Sequence, residues 1–215
     1  IKISSDNLPN NSLKISGETS SQYLSALLLI APLLENGLVV EVEGEQTSRP
    51  YIDMTIDIMS NFGVNVENDN YKKYVVKPQS YESDEYTIET DYSSASYFFA
   101  AAALNKSKVD ISNLALNSKQ SDKNFLKVLE QFGANIEFEP GSISVNGRNL
   151  RPINVDMSDC PDQAVTAAVL ACFANGKSVI KGIASLRIKE TERIEALQNE
   201  LAKMGIKTRS KIDSL

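Results

Sequence analysis

The sequence predicts an α/β protein of three repeated β-α-β-α-β-β units, with buried apolar helices and outer sheets. Three observations carry this. A unit of about 70 residues recurs three times, marked by a Gly that stops a helix and opens an apolar strand. The markers are Phe62-Gly63-Val64, Phe132-Gly133-Ala134 and Met204-Gly205-Ile206; the glycines at 63, 133 and 205 are 70 and 72 residues apart. Helix openings recur on the same period, at Thr19-Ser20-Ser21-Gln22, Tyr92-Ser93-Ser94-Ala95 and Cys160-Pro161-Asp162-Gln163. Finally, each copy pairs a helix that is apolar on nearly every side with one whose apolar residues keep helical spacing.

Within a copy the elements follow in order. A short alternating strand comes first, signalled by Leu13 and Ile15, by Tyr86 and Ile88, and by Ile153 and Val155. The apolar helix follows, over Tyr23–Leu34, Ala95–Leu104 and Ala164–Ala174, and must be buried on most sides. A second strand covers Leu38–Val42, Val109–Ile111 and Val179–Ile180. The amphipathic helix presents Ile52, Ile56 and Met59, then Phe125, Val128 and Phe132, then Ile194, Leu197 and Leu201. Glycine closes it as a C-cap, and one or two strands finish the unit. The charged, Pro-, Ser- and Gly-containing stretches Asn68–Lys72, Pro78–Glu85 and Glu139–Gly141 read as linkers.

Composition narrows function. A net charge of −6 argues against a nucleic-acid footprint, while leaving room for an anionic small molecule held by local charge. Cys160 and Cys172 are too few for a disulfide framework and lack zinc-ligand spacing, which fits a reducing, cytoplasmic setting. There is no His, so a Ser-His-Asp triad is excluded and proton transfer falls to Lys and carboxylates. The longest apolar run, Tyr23 to Leu34, contains Pro32 and is too short to span a bilayer. No signal peptide is visible, and a start on Ile in mid-pattern reads as a fragment.

Four segments exceed scaffold needs. Ser20, Ser21 and Gln22 open an apolar helix; one hydroxyl is explained as an N-cap, and a run of them equally suits a phosphate on the helix N-terminus. Ser48, Arg49 and Tyr51 surround Pro50 at the next helix start, as a solvated turn or as a second set of polar contacts. Asp162 follows Pro161 in a first turn, where a carboxylate is both ordinary and available for chemistry. Arg187-Ile188-Lys189-Glu190-Thr191-Glu192-Arg193 opens the third amphipathic helix. Lys189 and Arg193 would share a helical face, cations set against the dipole, so either Glu190 compensates them or an anionic ligand does. Cys160 has no basic partner in sequence and reads as an inert thiol.

In this order and spacing, the segments resemble the 5-enolpyruvylshikimate-3-phosphate synthase family over the whole chain. The carrying residues are Ser20-Ser21-Gln22, Ser48-Arg49-Pro50-Tyr51-Ile52-Asp53, Asp91 with Ser93-Ser94-Ala95-Ser96-Tyr97, Pro161-Asp162, and the stretch from Arg187 to Arg193. The paralogous UDP-N-acetylglucosamine enolpyruvyl transferases share the repeat without the Lys-Glu-Thr-Glu-Arg stretch; that paralogue and a non-catalytic phosphate-binding module are the alternatives. The resemblance implies an inside-out α/β barrel in two domains. Residues 1–89 would be the last unit of the first, and 90–215 the first two units of the second. It implies transfer of the enolpyruvyl group of phosphoenolpyruvate to shikimate 3-phosphate, in chorismate and aromatic amino-acid biosynthesis. No cofactor or metal, no membrane and no nucleic acid are implied, and the full-length form would be a monomer.

Position by position, Ser20, Ser21 and Ser48 resemble the family's phosphate holders, and Gln22 and Tyr51 further substrate contacts. Asp162, Lys189 and Glu190 match its proton-transferring residues, with Asp162 and Lys189 also touching substrate. Arg193 matches a phosphoenolpyruvate ligand. Ser185 stands where many relatives carry a substrate-contacting Asn. The family's upstream Lys-Ser pair and downstream Arg and Lys residues are absent, so a central fragment holding half the site would be inactive alone.

Overall fold

The computed structural model describes residues 11–82 and 85–215. The chain divides into two compact units, Ile1–Tyr86 and Thr87–Leu215. In unit one, β1 (Ser12–Ser16), α1 (Ser21–Ile30), β2 (Leu38–Glu43), α2 (Arg49–Asn61), β3 (Glu67–Asp69) and β4 (Lys73–Val76) follow the expected plan. The sheet order is β1-β2-β4-β3. β1 and β2 are parallel, with Leu13 opposite Val40 and Ile15 opposite Val42, and α1 supplies the crossover that a parallel pair requires. Alternation sends Val40 and Val42 inward to meet Leu24, Leu28, Ile52, Met59 and Tyr74.

Unit two holds α3 (Tyr92–Asn105), β5 (Lys108–Ser112), α4 (Phe125–Phe132), β6 (Asn135–Glu139) and β7 (Ser142–Asn146). It continues through β8 (Asn154–Asp156), α5 (Ala164–Cys172), β9 (Val179–Lys181) and α6 (Arg193–Lys203). β5-β7-β6 form an antiparallel sheet, and β8 pairs with β9 in parallel across α5. One core runs through it, including Phe99, Phe125, Leu129, Phe132, Ile143, Met157, Leu170 and Ile194.

The glycine markers share one geometry. Past α2, α4 and α6, Gly63, Gly133 and Gly205 take φ of 80°, 107° and 80°. The next amide reaches back five residues, from Val64 to Met59, Ala134 to Leu129 and Ile206 to Leu201, at 2.9–3.0 Å. This is the closure that a left-handed residue after a helix permits, and glycine takes it without steric cost.

The structure corrects several expectations. Tyr86 and Ile88 form no strand: Tyr86 closes unit one, its ring 5.7 Å from that of Phe62, while Ile88 belongs to unit two and is 80% exposed. Ile88 O accepts from the Asn113 side chain at 2.9 Å rather than from a strand neighbour among the described residues. Asn68–Lys72 and Glu139–Gly141 are hairpin turns within units, not linkers. Pro78–Glu85 lies partly outside the described residues. The finishing strands of the third copy reduce to bridges from Ser214 to Lys181 and Lys211. Each apolar helix is buried along one side and leaves large apolar groups exposed on the other: Tyr23 on α1, Tyr97 and Phe98 on α3, Val169 on α5. No described helix is long and apolar enough to cross a membrane.

Candidate functional site

In unit one, two loops lead into α1 and α2 and are stapled together. Gly17 N donates to Glu43 O at 2.9 Å, and Thr47 donates to Gly17 O through both its amide and its hydroxyl, each at 3.0 Å. Gly17 is needed for this approach. A Cβ there would lie 2.7 Å from Val42 Cγ1, 2.9 Å from Glu45 O and 3.0 Å from Gln46 Cα. Ser20 caps α1, accepting from Gln22 N at 3.3 Å; Ser21 is buried and Gln22 exposed. Ser48 precedes α2 in the left-handed region at φ 53°, without a side-chain capping bond. Tyr51 lies one turn on, half-buried.

Arg49 is committed within the protein. It pairs with Glu45 at 3.1 Å and lies 4.8 Å over the Tyr71 ring, while Tyr71 OH donates to Asp53. Burial first, then the Asp53 carboxylate, raises the Tyr71 phenol above its ordinary range, so it stays a donor. Lys72 bonds Gly44 O at 2.7 Å and Glu45 at 3.2 Å, closing the loop from below.

In unit two, Asp162 is the hub. It lies in the 3-10 turn Pro161–Gln163 that runs into α5. Its Oδ1 meets Lys189 Nζ at 3.4 Å and Arg193 Nη1 at 2.9 Å. Arg193 also turns its Nε and Nη2 onto Glu190 Oε1, at 2.9 and 2.7 Å. The Arg193 hydrogen bond, with the charges of Arg193 and Lys189 behind it, holds the Glu190 carboxyl below the usual range, so it is ionised.

Lys189 and Arg193 do not share a helical face. α6 begins only at Arg193, because Glu192 caps it by accepting from Glu195 N. Lys189 sits before it in extended backbone, and both cations still converge on Asp162. Arg187 takes a structural place: it pairs with Glu192 and donates to Ile212 O and Lys211 O. Asp213 accepts from the amides of Gly182 and Ala184, holding the 3-10 turn Ala184–Ile188 in which Ser185 is half-buried. Cys160, buried beside the turn, has its thiol pushed up to about 12 by burial and by Asp122, Asp159 and Asp162.

The predicted site residues therefore form two groups: Ser20, Ser21, Gln22, Ser48 and Tyr51 in unit one, and Asp162, Ser185, Lys189, Glu190 and Arg193 in unit two. Sequence reasoning missed the ties that fix them. These are Thr47 to Gly17, Asp213 to the 184 turn, and the buried Gln163 Nε2 to Asp122 Oδ1 bond at 3.0 Å beside Asp162. One signal was available. Gln46 and Gln120 occupy the loops before the amphipathic helices of the first two copies, and both are fixed by side-chain bonds to backbone.

Parallel β-α-β crossovers, glycine-closed amphipathic helices and a Lys-Glu-Arg-Asp cluster at helix starts make this a repeat-built α/β protein with an ionic cluster at its third pair of helix openings. Residues 1–215 match the profile of EPSP synthase (3-phosphoshikimate 1-carboxyvinyltransferase), and the chain belongs to that family. It is 45% identical over 207 residues to the 3-phosphoshikimate 1-carboxyvinyltransferase of Colwellia psychrerythraea, covering 95% of this chain and 49% of that protein. The corresponding protein of a Marinomonas species is 43% identical over 207 residues, with the same shares. The solved EPSP synthase of Acinetobacter baumannii superposes with a TM-score of 0.72 at 23% identity, over 94% of this chain and 47% of that one, which shows the shared fold. The chain spans about half the length of the curated relatives it matches.

Proposed function

We propose that this chain is the central part of an enzyme that transfers the enolpyruvyl group of phosphoenolpyruvate to a hydroxyl of shikimate 3-phosphate and releases phosphate. The observation that carries the reading is the Asp162–Lys189–Arg193–Glu190 cluster, in a chain matched to the EPSP synthase family from end to end. Two cations and two carboxylates, without His, are the groups such a reaction needs for its proton transfers.

The roles are those that the resemblance to the family implies. Ser20, Ser21 and Ser48 hold the phosphate of shikimate 3-phosphate, with Gln22 and Tyr51 as further contacts and Ser185 as a hydroxyl donor. Asp162 holds the shikimate hydroxyls. Lys189, 3.4 Å from it, moves a proton to or from the reacting hydroxyl. Glu190 delivers a proton to the methylene carbon as the new C–O bond forms; loss of a proton from the resulting methyl as the bond to phosphate breaks restores the enol double bond, and Arg193 grips phosphoenolpyruvate. Residues 1–89 are the last unit of one domain and 90–215 the first two of the other. The acidic composition with two cysteines supports a cytoplasmic enzyme. The isolated chain would lack turnover.

The test is phosphate release by the complete gene product with both substrates. Lys189→Ala should lower kcat by about 10²–10⁴-fold with the fold intact. Release with a nucleotide-sugar acceptor and not with shikimate 3-phosphate would move the protein to the cell-wall paralogue.

A further inference from the structure

Arg193 reaches its two carboxylates with different edges. Nη1 meets Asp162, whose side chain is 32% exposed; Nε and Nη2, the parallel fork that suits two ligand oxygens, both go to Glu190, which is 67% exposed. The Glu190 contact is therefore a surface ion pair and the more exposed of the two, open to exchange with solvent and solutes. An anion seated on this fork must displace Glu190, while Nη1 remains anchored on Asp162.

We propose that Glu190 occupies the phosphoenolpyruvate edge of Arg193 in the free protein, and that the substrate displaces it and thereby charges it with the proton it later delivers. The inference rests on the enolpyruvyl-transfer reading. The chemistry is an exchange of partners. The Arg193 fork leaves Glu190 Oε1 and takes two oxygens of the incoming anion. Glu190 then has lost its principal cation and faces a new negative charge, and its carboxylate takes one proton from solvent. The charged groups around it are Arg193 and Lys189, with Asp162 behind them on the Pro161–Gln163 turn; Arg187 and Glu192 are paired with each other. The removed interaction is the same one that holds the free carboxyl low. The exchange also explains how a residue ionised in the free protein acts as an acid: it is protonated only when there is a substrate to protonate.

The sign is fixed by linkage. A group whose pKa rises on binding takes up a proton, so affinity strengthens as pH falls through the bound-state value and changes by up to tenfold per pH unit. The experiment is calorimetric titration of phosphoenolpyruvate into the complete gene product without shikimate 3-phosphate, so that no turnover contributes heat or protons, in two buffers of different ionisation enthalpy. Proton uptake approaching one per site is expected in the wild type. Glu190→Gln, at an exposed position that tolerates the amide, should bind phosphoenolpyruvate without that component, leaving only the ligand's own ionisation. Binding without uptake, or equal uptake in wild type and Glu190→Gln, overturns the exchange and leaves the functional reading standing. No phosphoenolpyruvate binding at all overturns both.

Discussion

Gly17→Ala tests whether the two helix-leading loops of unit one form one binding device. The new methyl would lie 2.7 Å from Val42 Cγ1, against an ordinary contact of at least 3.4 Å, a shortfall of 0.7 Å. It would also lie 2.9 Å from a backbone oxygen and 3.0 Å from a backbone carbon, neither the end of a flexible chain. The loops must part. Overpacking of this kind costs about 1–3 kcal/mol. Stretching the two Thr47 bonds to Gly17 O adds a fraction of about 1 kcal/mol each, so a loss of about 2–3 kcal/mol is expected in urea unfolding. The functional consequence is larger. Ser20 lies three residues past Gly17 and Ser48 one past Thr47, so a 0.7 Å separation of the loops moves the proposed phosphate holders apart. Misplacement near 1 Å costs up to 10²-fold, and about a tenfold rise in KM for shikimate 3-phosphate is expected, with KM for phosphoenolpyruvate little changed. Steady-state kinetics of the complete gene product reads this. Destabilisation with an unchanged shikimate 3-phosphate KM would show that the staple serves folding alone.

Two further predictions concern unit two. Burial by itself would raise the Asp91 carboxyl, but bonds from the Ser94 hydroxyl and the Ser93 and Ser94 amides outweigh it and hold it below the ordinary value. A depressed folded value contributes stability that is present above the unfolded value, near 3.9, and is lost as pH falls through the folded one. Urea midpoints taken from pH 6 down to pH 3 should therefore fall more steeply for the wild type than for Asp91→Asn; parallel curves would remove Asp91 from the acid response. Gln163→Leu strips a donor from the buried Asp122, and a double-mutant cycle with Asp122→Ala should give a coupling of at least about 1 kcal/mol. Additive effects would show that the bond holds nothing.

What was legible in the sequence was what depends on local pattern. Glycine after an amphipathic helix has one economical geometry, so Gly63, Gly133 and Gly205 announced three helix ends and the repeat with them. Alternation in Leu13–Ile15 and Leu38–Val42 announced strands because one face is buried. The same signal misled at Tyr86 and Ile88, since alternation says nothing of whether two residues belong to the same compact unit. Spacing also misled at Lys189 and Arg193. Four residues apart is one helical turn only if the helix has begun, and the Glu192 cap delays it. The long-range ties were not legible. Thr47 to Gly17 and Asp213 to Ala184 join positions about 30 residues apart through backbone atoms, which carry no residue-type signature.

The repeat explains where chemistry arises. In each copy the loop before the amphipathic helix meets the loop before the apolar one. In the first copy they are joined by Thr47 to Gly17 O, and in the second by Gln120 to Thr90 O and Tyr92 N. Both are neutral bonds to backbone, which fix geometry and respond little to an arriving anion. In the third copy the corresponding junction is ionic: Lys189 and Arg193, before and at the start of α6, meet Asp162, before α5. Ion pairs at partly exposed positions exchange partners readily, and each carries a group that can hold or give a proton. The architecture thus places a neutral joint at two copies and an ionic one at the third. In the third copy Lys189 and Arg193 stand before and at the first residue of a helix, where the dipole disfavours cations, and Asp162 and Glu190 compensate them.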